Sequence, residues 1–434
     1  MTGTFLKNLK STLESCIADF DCIRHLYCYH PETDFTRDRK ITVPGICRSL
    51  IQFQSKSLPC EVLDLWGHSA DAPTASALIQ QRNKIMPEGF RFLFNHFSSS
   101  TLPLQERLHK GFRLVAVDGS DINIYRNPDD EETFIHEGEK GYNAIHINAL
   151  YDLLNHTYLD VQFQGKKKLH ERDAFNQMVD RSPLDNVIYI ADRGYESFNT
   201  FEHVIRSGQK FVIRMKDISS NGILSAYDLA DGEFDERIET TLTRRHTKET
   251  LGDPDTYTIL QPGTDFDFLD DTCKYCPVSF RIVRFLTDAG TYICVATNLS
   301  PDEFPLDEIR ELYRLRWGEE TSFRELKYTI GLVNFHSRKK ELIYQEIFAR
   351  LILYNFCELV TQHVAVVASK KTKHCYRINF TTAVNICRAY LKNGGDETGL
   401  TALIQRHLTP VRKDRKYPLK LRPKRNRDFM YRAA

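Results

Sequence analysis

The sequence predicts a mixed α/β protein, and three observations carry that prediction. From Phe112 the chain runs through short β-rich stretches, FRLVAVDGSDINIY, YNAIHINALYDLL, TYLDVQFQ, NVIYIADRGY and KFVIRMK, bounded by turn or polar residues. Two helical stretches, HERDAFNQMVDR and SFNTFEHVIRSG, separate the last three of these runs, so three strands are followed by helix, strand, helix, strand. Helical texture on both flanks, residues 1 to about 105 and the region beyond residue 300, encloses the β-rich middle.

With 434 residues the chain is long enough for a large core and more than one domain, and its net charge is only +1. Global charge therefore carries no argument for nucleic acid, and only local clusters can. There is no apolar leader run, and the apolar stretch Leu351 to Val367 is interrupted by Asn355, Glu358, Gln362 and His363, so neither secretion nor a membrane span is expected. Eleven scattered Cys read as reduced thiols of a cytoplasmic protein. Cys273 and Cys276 lack a second CxxC pair, and Cys22, Cys28 and His30 form a still weaker zinc pattern.

The N-terminal helical region is broken at Pro31, Pro44, Pro59 and Pro73. APTASALIQQRNKI predicts a small helix capped by Thr74 or Ser76, with Ala77, Leu78 and Ile85 as packing residues. Following EVLDLWG, it has the form of the second helix of a helix-turn-helix, which would turn Gln80, Gln81, Arg82 and Lys84 to base edges and phosphates. An ordinary surface helix accounts for the same residues.

Two carboxylates fall at the ends of buried runs. Asp118 closes LVAV and precedes Gly119, where a turn would free its side chain; Asp192 closes VIYIA and precedes Arg193. A strand interior could not solvate these charges, so such an end opens on a cleft. Asp121 is the rival for the first position, ranked lower because it follows the expected turn.

Residues Ile218 to Asn298 alternate short apolar runs (TYTIL, VSFRIVRFL, TYICVATNL) with Gly, Asp and Thr, predicting a β-rich segment. Its basic residues (Arg237, Arg244, Arg245, His246, Lys248) are matched by acids such as Asp267, Asp270 and Asp271.

Leu312 to Lys327 holds no Pro and a single Gly318, so one helix is expected. At about 100° per residue from Tyr313, Arg316, Glu320 and Lys327 fall at roughly 300°, 340° and 320°. These polar groups share one sector, while Leu312, Leu315, Phe323, Leu326 and Ile330 form the neighbouring apolar stripe. A helix laced with charge pairs is the plain reading. Apolar helices follow, ELIYQEIFARLILYNFCELVTQHV and INFTTAVNICRAYL. The tail VRKDRKYPLKLRPKRNRDFMYR, rich in Lys and Arg with interleaved aromatics, suits phosphate backbones or a solvated end.

Tyr313, Arg316, Glu320 and Lys327, spaced by two, three and six residues with Trp317 after the Arg, resemble the Y-R-E-K signature of the IS-four group of DDE insertion-sequence transposases. Asp118 in Asp118-Gly119-Ser120 and Asp192 in Asp192-Arg193-Gly194-Tyr195 match the contexts of that family's two Asp residues. One departure is Glu319, which points into the apolar stripe where the family usually has an apolar residue; register favours Glu320 as the functional carboxylate.

The resemblance spans roughly Val115 to Lys327. It implies a ribonuclease H-like core over 106–217 and 301–340, interrupted by an all-β insertion over 218–300. A helical DNA-binding region, 1–105, and a helical region with a basic tail, 341–434, would flank it. An insertion of this kind is expected to carry a base-stacking aromatic, for which the distance ahead of Glu320 suggests Tyr292; core packing is the competing role.

Three carboxylates from separate elements, without a His or Cys cluster, suit hard cations, Mg²⁺ or in its place Mn²⁺. Asp118, Asp192 and Glu320 would bind two of them per active site and drive in-line phosphoryl displacement. Arg316 and Lys327 would hold phosphates, with Tyr313 adding a hydroxyl and Arg193 a further DNA contact. The implied activity is cleavage at the terminal inverted repeats of an element in double-stranded DNA, with or without a hairpin intermediate, and strand transfer into target DNA. A homodimer in a synaptic complex, in the cytoplasm on the nucleoid, is the implied assembly. A nuclease that cuts without joining and an inactive DNA-binding relative are the alternatives.

Overall fold

The computed structural model describes residues 5–137, 140–287, 290–364, 375–411 and 430–431. The chain opens with helices α1 (Phe5–Cys22), α2 (Val43–Gln52), α3 (Leu58–Leu65), α4 (Ala75–Arg82) and α5 (Pro87–Thr101). Leu6, Leu9, Leu13, Ile17 and Phe20 recur along α1 at three- and four-residue steps and bury one stripe. Pro stands in the first turn of α2, α3 and α5, where no backbone donor is needed. Thr74 caps α4, accepting from the Ala77 N–H at 3.1 Å.

The middle of the chain supplies β1 (Arg113–Ile124), β2 (Phe134–Ile135), β3 (Tyr142–Asp152), β4 (Thr157–Gly165), α6 (Glu171–Asp180), β5 (Val187–Ala191), α7 (Phe198–Arg206) and β6 (Lys210–Met215). β3 lies antiparallel between β1 and β4, and β1, β5 and β6 run parallel, joined by α6 and α7. The resulting order β4-β3-β1-β5-β6 is a ribonuclease H-like core. β7 (Phe234–Thr243), α8 (Lys248–Gly252), β8 (Tyr257–Ile259), β9 (Tyr275–Leu286) and β10 (Tyr292–Thr297) form the inserted segment. Its strands continue the core sheet, β10 pairing with β6, to make one ten-stranded sheet.

Period-two alternation divides this sheet into two buried faces. Leu114 and Ala116 of β1 and Ile188 and Ile190 of β5 join an apolar cluster with the N- and C-terminal helices. Val115, Val117, Val187, Tyr189 and Ala191 point the other way, into a cluster with α6, α7 and the inserted strands. The first face is covered by α9 (Leu306–Leu315), α10 (Trp317–Glu325), α11 (Lys340–His363) and α12 (Phe380–Asn393), with α13 (Glu397–Arg406) following. α11 is buried around most of its circumference, as its apolar composition requires.

Two sequence expectations change here. β1 does not end at Asp118 but runs on to Ile124, so no turn follows Gly119. α4 packs inward: Arg82 is 0% exposed, Gln81 is buried as well, and Arg82 donates to the Leu342 carbonyl (3.0 Å) and to Glu346 (3.2 Å) on α11. Neither side chain faces a base edge. The partner that draws Arg82 in lies 264 residues later, beyond the reach of a local helix-turn-helix pattern. No helix among the described residues is long and apolar enough to cross a membrane, and the basic residues of the tail from Arg412 lie outside those described.

Candidate active site

The two Asp residues meet because of strand register. Parallel pairing of β1 with β5 ends at Val117 opposite Ala191, so Asp118 and Asp192 are the next residues of neighbouring strands. Both follow the alternation of Ala116 and Ile190 and therefore belong to the face covered by α9 and α10. The same alternation assigns Asp121 to the opposite face, where it binds His146 (2.6 Å) and Lys166 (2.8 Å). Asp121 does not join Asp118 and Asp192.

Asp118 accepts from the Gly119 N–H at 2.8 Å, and Asp192 from the Gly194 N–H at 2.7 Å. Burial pushes the Asp118 carboxyl up to about 6; the Gly119 amide and Arg316 pull against this, while the charges of Asp192 and Glu320 add to it. Gly119 is required for packing: a Cβ there would lie 2.0 Å from Nε2 of His146. His146 in turn sits between Asp121 and Glu171, 3.1 Å from the latter.

The expected single helix Leu312–Lys327 is broken twice. α9 ends at Leu315, Arg316 forms a tight joint, α10 runs Trp317–Glu325, and Leu326–Ile330 is a π-helical turn closed by Gly331 at φ 98°. Such turns shift side-chain direction, so a regular wheel misplaces residues on either side. Tyr313 is buried at 5% exposure rather than open to a ligand, its ring 6.0 Å from the Arg316 guanidinium, whereas Leu315, assigned to the apolar stripe, is exposed.

Arg316 is the hub. Its Nη2 donates to Glu320 at 2.8 Å, and its Nη1 stands 3.8 Å from Asp118. The guanidinium thus holds Glu320 and Asp118 across itself. Glu319 is 0% exposed; burial, then the Asp118 charge, drives its carboxyl well above the usual range, against the pull of Arg316 and the Asp118 backbone. The wheel's assignment of Glu319 to the apolar side holds. Lys327 reaches back from the π-helical turn to β1, donating to Ser120 Oγ (2.6 Å) and the Asp121 carbonyl (2.8 Å). Arg193 is exposed on the turn after Asp192, and Tyr292 is half-exposed with the Arg284 guanidinium 4.1 Å from its ring centre.

Among the described residues no group of three His, Cys, Asp or Glu side chains is arranged to hold a metal ion. The all-carboxylate donor set nevertheless suits a hard cation, and burial, with a smaller push from the charges of Asp192 and Glu320, raises the Asp118 carboxyl. Glu320 is held by Arg316, whose other terminal nitrogen stands beside Asp118.

Residues 109–356 match the family model described as the transposase DDE domain. The chain belongs to the DDE transposases. It is 23% identical to the transposase InsG of insertion sequence element IS4 from Escherichia coli (strain K12) over 292 residues, 64% of this chain and 59% of that protein. The probable transposase of IS5377 from Geobacillus stearothermophilus is 25% identical over 169 residues, 38% of this chain and 37% of that one. The chain therefore spans well under two thirds of these transposases. Among solved structures, a piggyBac transposase synaptic complex with hairpin DNA aligns with 90% of this chain and 78% of its own, at 7% identity and a TM-score of 0.45. The matched family region contains Asp118, Asp192, Tyr313, Arg316, Glu320 and Lys327 of this transposase-family chain.

Alternation along β1 was available in the sequence and separates Asp118 from Asp121. The Gly119–His146 contact and the Arg316 bridge had no such signal, because both join residues of different elements.

Proposed function

We propose that this chain is a DNA transposase that cleaves the ends of an insertion sequence and joins them to target DNA. The observation that carries this reading is the convergence of Asp118 and Asp192, from adjacent parallel strands, with Arg316 and Glu320 from the α9–α10 joint. Asp118, Asp192 and Glu320 would be the ligands of Mg²⁺ or Mn²⁺, which supplies Lewis-acid polarisation of the scissile phosphodiester.

The protein's own part is positional. Strand register aims Asp118 and Asp192 at one point, and Arg316 presents Glu320 to it. On release of Glu320 the planar Arg316 fork is free to take a phosphate in two bonds. Tyr313, buried beneath that guanidinium, acts through it. Lys327, tied to Ser120, adds positive charge beside β1, and Arg193 contacts DNA next to Asp192. Two copies synapsed on paired ends at the nucleoid complete the reading, with Tyr292 as the base-stacking residue of the inserted strands.

Purified protein with Mg²⁺ and duplexes carrying the inverted repeats that flank its gene tests this. Nicking at the repeat ends followed by joining of pre-cleaved ends to a plasmid is expected. Cleavage without joining would assign a nuclease, and end binding without cleavage an inactive relative.

A further inference from the structure

The carboxyl edge of the parallel strands carries a second feature, around the corner from Asp118 and Asp192. On the α6–α7 face, an open cavity of about 240 Å³ is lined by Arg172, Arg193, Lys216, Phe198, Phe266 and Asp265, among others. Arg172 comes from the first turn of α6, Arg193 from the turn after Asp192, and Lys216 from the residue that follows β6. These elements end at one edge because β1, β5 and β6 are parallel and in register, which brings their C-terminal ends together.

The cavity is held in shape by polar contacts. Glu196, also in its wall, is buried and accepts from the backbone N–H groups of Lys216 (2.7 Å) and Ile223 (2.8 Å), pinning the loop after β6 to the turn after Asp192. Gly222 gives Lys216 its path, since a Cβ there would lie 3.1 Å from Lys216 Cδ and 2.7 Å from Glu196 Oε1. Arg172 donates Nε to the Gly194 carbonyl at 2.9 Å, which leaves its terminal nitrogens for a ligand. Lys216 Nζ donates to an exposed carbonyl, that of Asn221, at 2.9 Å. Three cations thus exceed the two acids of the wall, one of them already engaged by backbone amides.

An apolar floor with a cationic rim suits a phosphodiester and its sugar. Arg316 and Lys327 stand beside Asp118 and Asp192 on the α9–α10 face, and this cavity lies on the α6–α7 face of the same edge, linked to Asp192 by the next residue, Arg193. We propose that the cavity binds a backbone phosphate of the DNA beyond the scissile phosphate, on the side away from Arg316 and Lys327. The inference rests on the transposase reading and adds to it a site for flanking or target DNA, with Arg172 and Lys216 as its new residues.

The test uses the full chain and two duplexes carrying the same element end, one continuing into flanking DNA and one stopping at the cut. Lys216→Met and Arg172→Ala are each expected to weaken binding of the flanked duplex about tenfold and to lower its salt slope by about one. The duplex that stops at the cut should bind as it does to the unaltered protein. Arg172→Lys should keep the salt slope, showing that charge and not loop shape is at work. Equal losses on both duplexes, or no loss on either, overturn the proposal. Failure of the transposase reading looks different, because the unaltered chain would then bind neither duplex in preference to unrelated DNA.

Discussion

Asp118 and Asp192 stand one residue beyond the last paired rung, Val117 opposite Ala191, of two parallel strands. Adjacent strands lie about 4.8 Å apart, so this register alone makes the two carboxylates neighbours on one face. Arg316 then ties Asp118 to Glu320 from the helical side.

Asp118 should limit the stability of the metal-free protein near neutral pH. Its folded carboxyl titrates at about 6, above the ordinary 3.8, so the unfolded chain gives up the proton first and stability falls as pH rises through this window. Asp118→Asn is expected to raise stability at pH 7.5 by on the order of 2 kcal/mol, with the gain gone below about pH 4. Urea unfolding in EDTA at both pH values measures it; an equal effect at both would contradict the assignment.

Gly119 should tolerate no side chain while His146 is present. Gly119→Ala is expected to cost several degrees of Tm and to abolish strand cleavage, because its Cβ meets the imidazole. The double variant with His146→Ser should recover much of the Tm. Additive losses in the double variant would show that the two sites do not share this contact.

Arg316 should compete with cations for Glu320. Arg316→Ala is expected to tighten Mn²⁺ binding several-fold by calorimetry while weakening assembly of the paired-end complex. Arg316→Lys should restore assembly poorly, since an ammonium lacks the fork. Unchanged Mn²⁺ affinity in Arg316→Ala would mean that the contact with Glu320 is incidental.

Arg82 should matter for folding and not for DNA. Arg82→Ala leaves Glu346 short of a buried partner and is expected to cost about 3 kcal/mol, with Lys56→Ala, at an exposed pair, costing under about 1. Gel-shift titration of the folded fraction should give unaltered DNA affinity. A specific loss of DNA binding without loss of stability would reinstate α4 as a recognition helix.

The sequence by itself determined the alternation of strands and helices, the β-rich insertion, the carboxylates after two buried runs and the inward turn of Glu319. Those features depend on periodicity and turn chemistry within a few residues, which local sequence carries. Only the tertiary structure decided the rest. The inserted strands extend the core sheet because β10 finds the open edge of β6, and Arg82 turns inward because α11 brings Glu346 beneath it. The wheel drawn from Tyr313 to Lys327 keeps Arg316 beside Glu320 and turns Glu319 inward, but it does not foresee the π-helical turn, from which Lys327 reaches Ser120 on β1. The string ranks Asp118 above Asp121 through an expected turn that does not form, and it is the continued strand, with His146 and Lys166 on its far face, that separates the carboxylate of the cleft from the one that is already paired.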